Sequence, residues 1–415
     1  TALNGLPLVR ALPLLVALTL LAAGCGAGSA PPPFTGLAEV RSPAGPGSGQ
    51  PRLAAGPDGR IYLSWLEPEP GGHALRFAAL DPARARWSET GTVVRGRPFF
   101  VNWADFPSIL PLPDGSLLAH WLERSGPGRY AYHVHIARSR DGGKSWGEER
   151  VLHADRSETE HGFVSLVPWG DDGAAAAVWL DGRDFAGRPE GERGEMALRY
   201  AVIGADGRVG PEQVLDARTC ECCQTAAAAT GDGLVVAYRD RSPGEVRDIA
   251  VVRLAAGRWT EPRPLHEDGW VIPACPVNGP AIAAEGRRVA VAWFTAAGDR
   301  PRVRVAFSDD AGARFGRPVT VDEGDPVGRV DLALLPDGSA LVSWIERTSA
   351  GAALRARRVR PDGRADPATT VAASSAERAS GFPQLARAGE HLVFAWTDTG
   401  SPPRVRVAMA RLAGP

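Results

Sequence analysis

The run Pro113-Asp114-Gly115-Ser116-Leu117-Leu118-Ala119-His120-Trp121-Leu122-Glu123 is a tight Pro-Asp-Gly turn, then a short apolar strand ending on a tryptophan, with an acid two residues beyond. The strand plan recurs at Ile61 to Trp65, Ala175 to Trp179, Leu234 to Tyr238, Val289 to Trp293, Leu341 to Trp344 and Leu392 to Trp396. The seven closing aromatics stand 51 to 59 residues apart. A four-stranded antiparallel sheet and its turns consume about that much chain, so the sequence predicts one unit repeated around a ring, an all-β propeller. These runs are apolar throughout, as strands buried on both faces must be.

Third strands are expected at Tyr132 to Ser139, Ala197 to Val202, Ile249 to Leu254, Val303 to Ser308 and Val405 to Ala410, and weaker fourth strands at Glu149 to His153 and Val319 to Asp322. The last unit lacks an outer strand. Leu37 to Arg41 precedes the first full unit, and pairing it there closes the ring and removes an exposed sheet edge. Seven blades is the favoured count and six the alternative, in one domain over 37–415.

Composition agrees with an all-β protein acting outside the cytoplasm. Gly 49 and Pro 36 supply turns, and 44% hydrophobic residues supply a core. A net charge of −1 gives no electrostatic case for nucleic acid. Lys144 is the single lysine and lies in a turn, so Schiff-base chemistry is not expected. Near the N-terminus, Arg10 precedes an apolar stretch from Ala11 to Ala23 that is too short to span a bilayer and ends in Leu21-Ala22-Ala23-Gly24-Cys25. This resembles a bacterial lipoprotein signal over 1–24, which implies a lipid anchor at Cys25, a tether over 25–36 and a protein held in the cell envelope. An ordinary cleaved signal peptide is the alternative.

Two hairpins carry a family likeness. Ser139, Asp141, Gly143 and Trp146 fit SxDxGxxW, and Ser308, Asp310, Gly312 and Phe315 repeat it with Phe for Trp. They resemble the Asp-box (BNR) repeats of the sialidase superfamily, which carries them between third and fourth strands. The Asp carboxylate is expected to accept turn N–H groups, the Gly to take positive φ, and the aromatic to pack on the next blade. The resemblance implies that the opposite face, built from blade-to-blade loops and second-to-third strand loops, is the one that binds or acts on substrate.

On that face an acid follows the aromatic by two residues in six of seven units: Glu67, Glu123, Asp181, Asp240, Glu346 and Asp398, with Thr295 the exception. Each is more readily an ion-pair partner between blades than a catalyst, though Asp181 and Asp240 are candidate proton donors. The loop Arg97 to Ser108 brings together Asn102, Trp103 and Asp105, an aromatic, an amide and an acid, which is a composition suited to a sugar site. Equally, Phe99, Phe100 and Phe106 in that loop are expected to plug the central channel. His161, in the next loop after Thr159 and Glu160, is a candidate base or ligand.

Cys220, Cys222 and Cys223 form CxCC in one inter-blade loop, and Cys275 lies in the next beside Pro276 and Asn278. In an oxidising compartment two disulfides are the default expectation, in any of three pairings. A thiolate site for copper or zinc, or thiol redox chemistry, is the alternative.

The superfamily resemblance implies a glycoside hydrolase of exo-sialidase type, with three arginines clamping the substrate carboxylate, a Tyr activated by Glu as nucleophile and an Asp as acid. Arg183, Arg239 and Arg329 are the candidate clamps, with Asn278 nearby, and Asp105 is the candidate acid. No FRIP-type arginine motif stands in the first unit, which reads Pro51-Arg52-Leu53-Ala54, and no tyrosine stands in an inter-blade loop. Tyr238, flanked by Arg239 and Asp240, is the single candidate nucleophile and is better read as a core aromatic. The sequence thus predicts a monomeric sialidase-like propeller without cofactor, directed at a glycan or glycoconjugate. A non-catalytic glycan- or protein-binding module is the alternative.

Overall fold

The computed structural model describes residues 1–2, 5, 32–188 and 194–413. The leader and most of the tether lie outside the described residues, and no described helix is long and apolar enough to cross a membrane. From Pro31 the chain forms one compact unit of seven antiparallel sheets.

The blades begin with inner strands Gly49–Ala55, Ser108–Pro111, His161–Trp169, Ala226–Thr230, Ala281–Glu285, Pro326–Leu334 and Gln384–Ala388, numbered here one to seven. Each inner strand touches the inner strand of the next blade, and the last touches the first. The predicted closure is present. Phe34–Val40 pairs antiparallel with Arg404–Leu412 and becomes the outermost strand of blade seven. Both ends of the chain therefore lock one sheet, leaving no open edge at the seam.

The seven aromatics set the packing between blades. Each lies in the cluster formed with the preceding blade: Trp121 packs on Leu75 and Phe77 of blade one, Trp179 on Val134 and Ile136 of blade two, and Trp344 on Ala292 and Val303 of blade five. Residues two apart on a strand share a face, so the acid two positions later points into the same crevice. There it accepts the indole N–H: Trp65 donates to Glu67 (2.9 Å), Trp121 to Glu123 (2.6 Å), Trp179 to Asp181 (2.9 Å) and Trp344 to Glu346. Two blades borrow a carboxylate from the preceding blade or the loop that leaves it. Trp293, where Thr295 replaces the acid, donates to Asp268 (2.7 Å), and the Tyr238 hydroxyl donates to Asp216 (2.6 Å). The ring of acids read from sequence is largely a set of caps on buried N–H and O–H donors, which would be costly to leave unpaired.

Both Asp boxes form as expected. Asp141 accepts from the Ser145 N–H (2.9 Å) and Asp310 from the Arg314 N–H (2.8 Å), while Ser139 and Ser308 hydroxyls accept from Gly143 and Gly312. Their aromatics pack on the preceding blade, correcting the expectation of the next. Trp146 meets Phe77 edge-on at 6.1 Å, and Phe315 joins Ile249 and Val251. The reason is close approach. A Cβ on Gly143 would stand 2.1 Å from Phe77 Cζ, so that turn must be glycine for space as well as for its φ of +87°.

Candidate functional site

The inter-blade loops and the loops after second strands gather over one face and enclose a cleft of about 560 Å³. Asn102, Trp103, Tyr130, Phe163, Phe185 and Val277 give it an aromatic wall, and Glu158, Glu160, Glu221, Cys222, Cys275 and Arg378 supply polar groups. Trp103 forms its floor over the channel. Its ring stacks on Phe382 (5.8 Å, 21°), with the Arg329 and Arg378 guanidiniums 5.0 and 5.8 Å from its centroid. Phe106 lies beneath, near Phe382, and helps fill the channel as expected. Phe99 and Phe100 do not. They pack in blade cores, Phe100 stacked on Tyr132 at 3.9 Å.

The chemistry concentrates on Tyr132, Asp105 and Glu160. Tyr132 opens the third strand of blade two, and its buried hydroxyl lies 2.7 Å from Asp105 Oδ2 and 3.0 Å from Glu160 Oε1. A hydroxyl has one hydrogen to give, so two carboxylates cannot both be satisfied as acceptors. The two carboxyls therefore compete for that hydrogen, which favours a proton on one of them. Burial raises the Glu160 carboxyl to about 8, helped by neighbouring Asp105, Cys275 and Glu221 and opposed by the Tyr132 hydroxyl. Burial likewise raises Asp105 to about 7, while the Tyr132 hydroxyl and the Phe163 N–H pull it down. Of the two raised carboxyls, Glu160 is the one that faces the cleft. Asp105 sits behind as the acceptor for Tyr132 and for the Phe163 N–H (2.9 Å). Local backbone makes the trio close: Gly162 passes where a Cβ would fall 1.9 Å from Asp105 Oδ2, and Phe163 takes φ +52°.

The residues singled out from sequence separate sharply. Asn102 and Trp103 line the cleft, Asn102 also fixing its loop by accepting the Ala104 N–H (2.8 Å). Asp105 stands one layer below. His161 is fully buried, its Nε2 3.0 Å from Asp155 and its ring stacked on His153 at 3.9 Å, so it is a packing residue away from the cleft. Asp181 is equally buried, capping Trp179 and pairing with Arg183 at 2.6 Å. Asp240, raised to about 6 by burial, accepts the Arg241 N–H and does not reach the cleft wall.

The arginine clamp is not assembled. Arg183 is held by Asp181 and Glu212. Arg239 is buried over Trp270 and gives its N–H groups to the carbonyls of Arg247, Asn278 and Phe294. Arg329 gives its own to Ala376, Glu377 and Gly381 carbonyls and the Ser380 hydroxyl. Asn278 is a buried hub, accepting the Arg329 N–H at 2.7 Å. Each of these cations is consumed by loop carbonyls or acids that one sequence cannot place. Tyr132 and Glu160 went unselected because a strand tyrosine and a loop glutamate 28 residues apart give no local signal; the only hint was that Glu160 shares a loop with His161.

The four cysteines are unbridged, so the disulfide expectation is not met in the structure. Cys220 Sγ lies 3.7 Å from Cys222 Sγ and 3.5 Å from Cys223 Sγ, against about 2.05 Å for a disulfide. Burial pushes the Cys220 thiol up, but hydrogen bonds from Cys222 and Cys223 and the Arg247 guanidinium outweigh it and bring the group well below the ordinary thiol range.

No family model and no curated protein matches this sequence. Among solved structures, the polysaccharide lyase Uly1 is similar with a TM-score of 0.51 at 8% identity, covering 85% of this chain and 88% of that one. A PL25 ulvan lyase bound to -[GlcA(1-4)Rha3S]- is similar at TM-score 0.48 and 13% identity, over 79% of this chain and 80% of that one. Trypanosoma rangeli sialidase with the inhibitor DANA follows at TM-score 0.47 and 12% identity, over 77% of this chain and 56% of that one. At such identities a shared fold is all that follows. With its seven closed blades, the chain has the fold of a seven-bladed β-propeller.

Proposed function

We propose that the cleft binds carbohydrate and that Glu160 serves there as a proton donor to a glycosidic oxygen. The observation that carries this is a glutamate carboxyl beside the Tyr132 hydroxyl, raised to about 8 by burial and set in a cleft of the size that takes small ligands, with aromatic rings in its wall. Trp103 and Tyr130 offer ring faces for apolar sugar surfaces, and Asn102 stands beside them. Arg378 is the one arginine among the described lining residues and three glutamates accompany it, which favours a neutral glycan over an acidic one. The leader residues Arg10 to Cys25 support placing this activity outside the cytoplasm, on a lipid-anchored protein.

A binding module without turnover is the second reading, favoured by the burial of Tyr132, which keeps the phenol that is paired with Asp105 and Glu160 away from a bound ligand. The test takes the chain from Gly26 onward with a panel of fluorogenic glycosides and neutral and acidic polysaccharides. Turnover that falls by roughly 10²- to 10⁴-fold in Glu160→Gln supports proton donation. Binding without turnover, weakened by Trp103→Ala, supports the module, and absence of both refutes the carbohydrate reading.

A further inference from the structure

Cys220, Cys222 and Cys223 come from one short turn, and their sulfurs all lie within 4.8 Å of one another. The separations of 3.5 and 3.7 Å are too long for a bond between sulfurs. They match ligands around one ion, since two thiolates each about 2.3 Å from a tetrahedral cation lie about 3.8 Å apart. Cys275, from the following inter-blade loop, lines the same cleft wall as Cys222 but stands outside the group of three sulfurs that lie within 4.8 Å of one another.

The surroundings are those of a ligand set. The Arg247 Nη1 donates to Cys220 Sγ at 3.2 Å and the Asn278 N–H to Cys223 Sγ at 3.4 Å, outer contacts that orient sulfur and offset thiolate charge. Gln224 ties the two cysteine loops together, accepting the Gly279 N–H at 3.0 Å and donating to the Ala104 carbonyl at 2.5 Å. The second grouping of metal-binding type, Glu123, His135 and Glu149, is occupied by Arg97, which pairs with both carboxylates.

We propose that Cys220, Cys222 and Cys223, with Cys275 as fourth ligand, bind a thiophilic d¹⁰ cation, Zn(II) or Cu(I), in the wall of the cleft. An all-sulfur donor set selects these over magnesium, calcium or manganese. Cys222 and Cys275 both line the cleft, so the bound ion would face it. This site stands independently of the carbohydrate reading.

The full chain, purified anaerobically with reduced thiols, is titrated separately with Zn(II) and Cu(I) against competing chromophoric chelators. Stoichiometry is read by elemental analysis, and ligation by near-ultraviolet thiolate charge-transfer absorption and by protection of the thiols from alkylation. One equivalent per chain is expected, lost in Cys222→Ser/Cys223→Ser. Cys275→Ser, at an exposed position, should weaken Zn(II) binding, with water left to fill the fourth place, and leave Cu(I), which is satisfied by three sulfurs, unchanged. Binding no tighter than in the double variant overturns the proposal. So does a disulfide within the quartet in non-reduced peptide maps of protein isolated from an oxidising compartment. If Cys275→Ser binds both ions unchanged, Cys275 is not a ligand and the four-sulfur site is overturned.

Discussion

Replacing Asp181 with alanine tests whether the acids two residues beyond the blade aromatics are structural. Asp181 has no exposed surface and accepts the Trp179 indole N–H at 2.9 Å and two Arg183 N–H groups at 2.6 and 2.7 Å. Alanine leaves the buried indole N–H unpaired, at about 1–3 kcal/mol. Arg183 keeps Glu212 and is 26% exposed, so its loss adds only about 1 kcal/mol. The sum is about 3 kcal/mol. Linkage gives an independent figure. Burial raises the Asp181 carboxyl, but Arg183, His161 and the indole N–H outweigh it and hold it at about 2 against 3.8, worth roughly 2 kcal/mol. Because the folded value is depressed, that stability is complete above about pH 4 and is lost as pH falls through 2. Urea unfolding followed by tryptophan fluorescence should show the loss at pH 7. The control is Asp398→Ala, whose carboxylate is 45% exposed and pairs with the surface Arg406, for which less than about 0.5 kcal/mol is expected. Equal effects for the two variants would refute the capping role.

Gly143→Ala forces both a strained φ and a clash with Phe77, so its thermal midpoint should drop well below that of Gly59→Ala, where φ is +76° but the Cβ meets open space and costs about 1–2 kcal/mol. Glu160 carries a raised folded value of about 8, so its contribution to stability is present below about pH 4.5 and is lost as pH rises toward 8. Glu160→Gln should therefore be more stable than the wild type at pH 9, by at least about 1 kcal/mol in urea midpoints, and equal to it at pH 4. Deleting the chain through Val40 removes the outer strand of blade seven and exposes the edge of Arg404–Leu412. Light scattering should then show self-association, and limited proteolysis should first cut in blade seven.

Much of the fold was legible in local pattern because a repeat multiplies a weak signal. One apolar strand ending in Trp121 is ambiguous, but seven at one interval are not, and a closing strand at Leu37 followed from counting strands. What the acids beyond the aromatics do was not legible. Asp181 read as a candidate proton donor and Glu123 as an ion-pair partner between blades, and only contact with Trp179 and Trp121 shows them to be caps. The same holds for Arg239 and Arg329, whose partners are carbonyls of loops from other blades.

The sequence by itself determined the all-β ring, its repeated unit, its closure and the two structural hairpins, because these depend on periodicity and turn chemistry within one unit, while the structure chose seven blades over six. The tertiary structure alone decided the site. Asp105 and Glu160 meet at one Tyr132 hydroxyl, and Cys275 is brought to the same cleft wall as Cys222, through juxtapositions made by packing separate blades side by side. The physical reason is burial. Which acid keeps its proton, and which cation is consumed, depends on desolvation and on partners distant in the chain, and neither is encoded in local spacing.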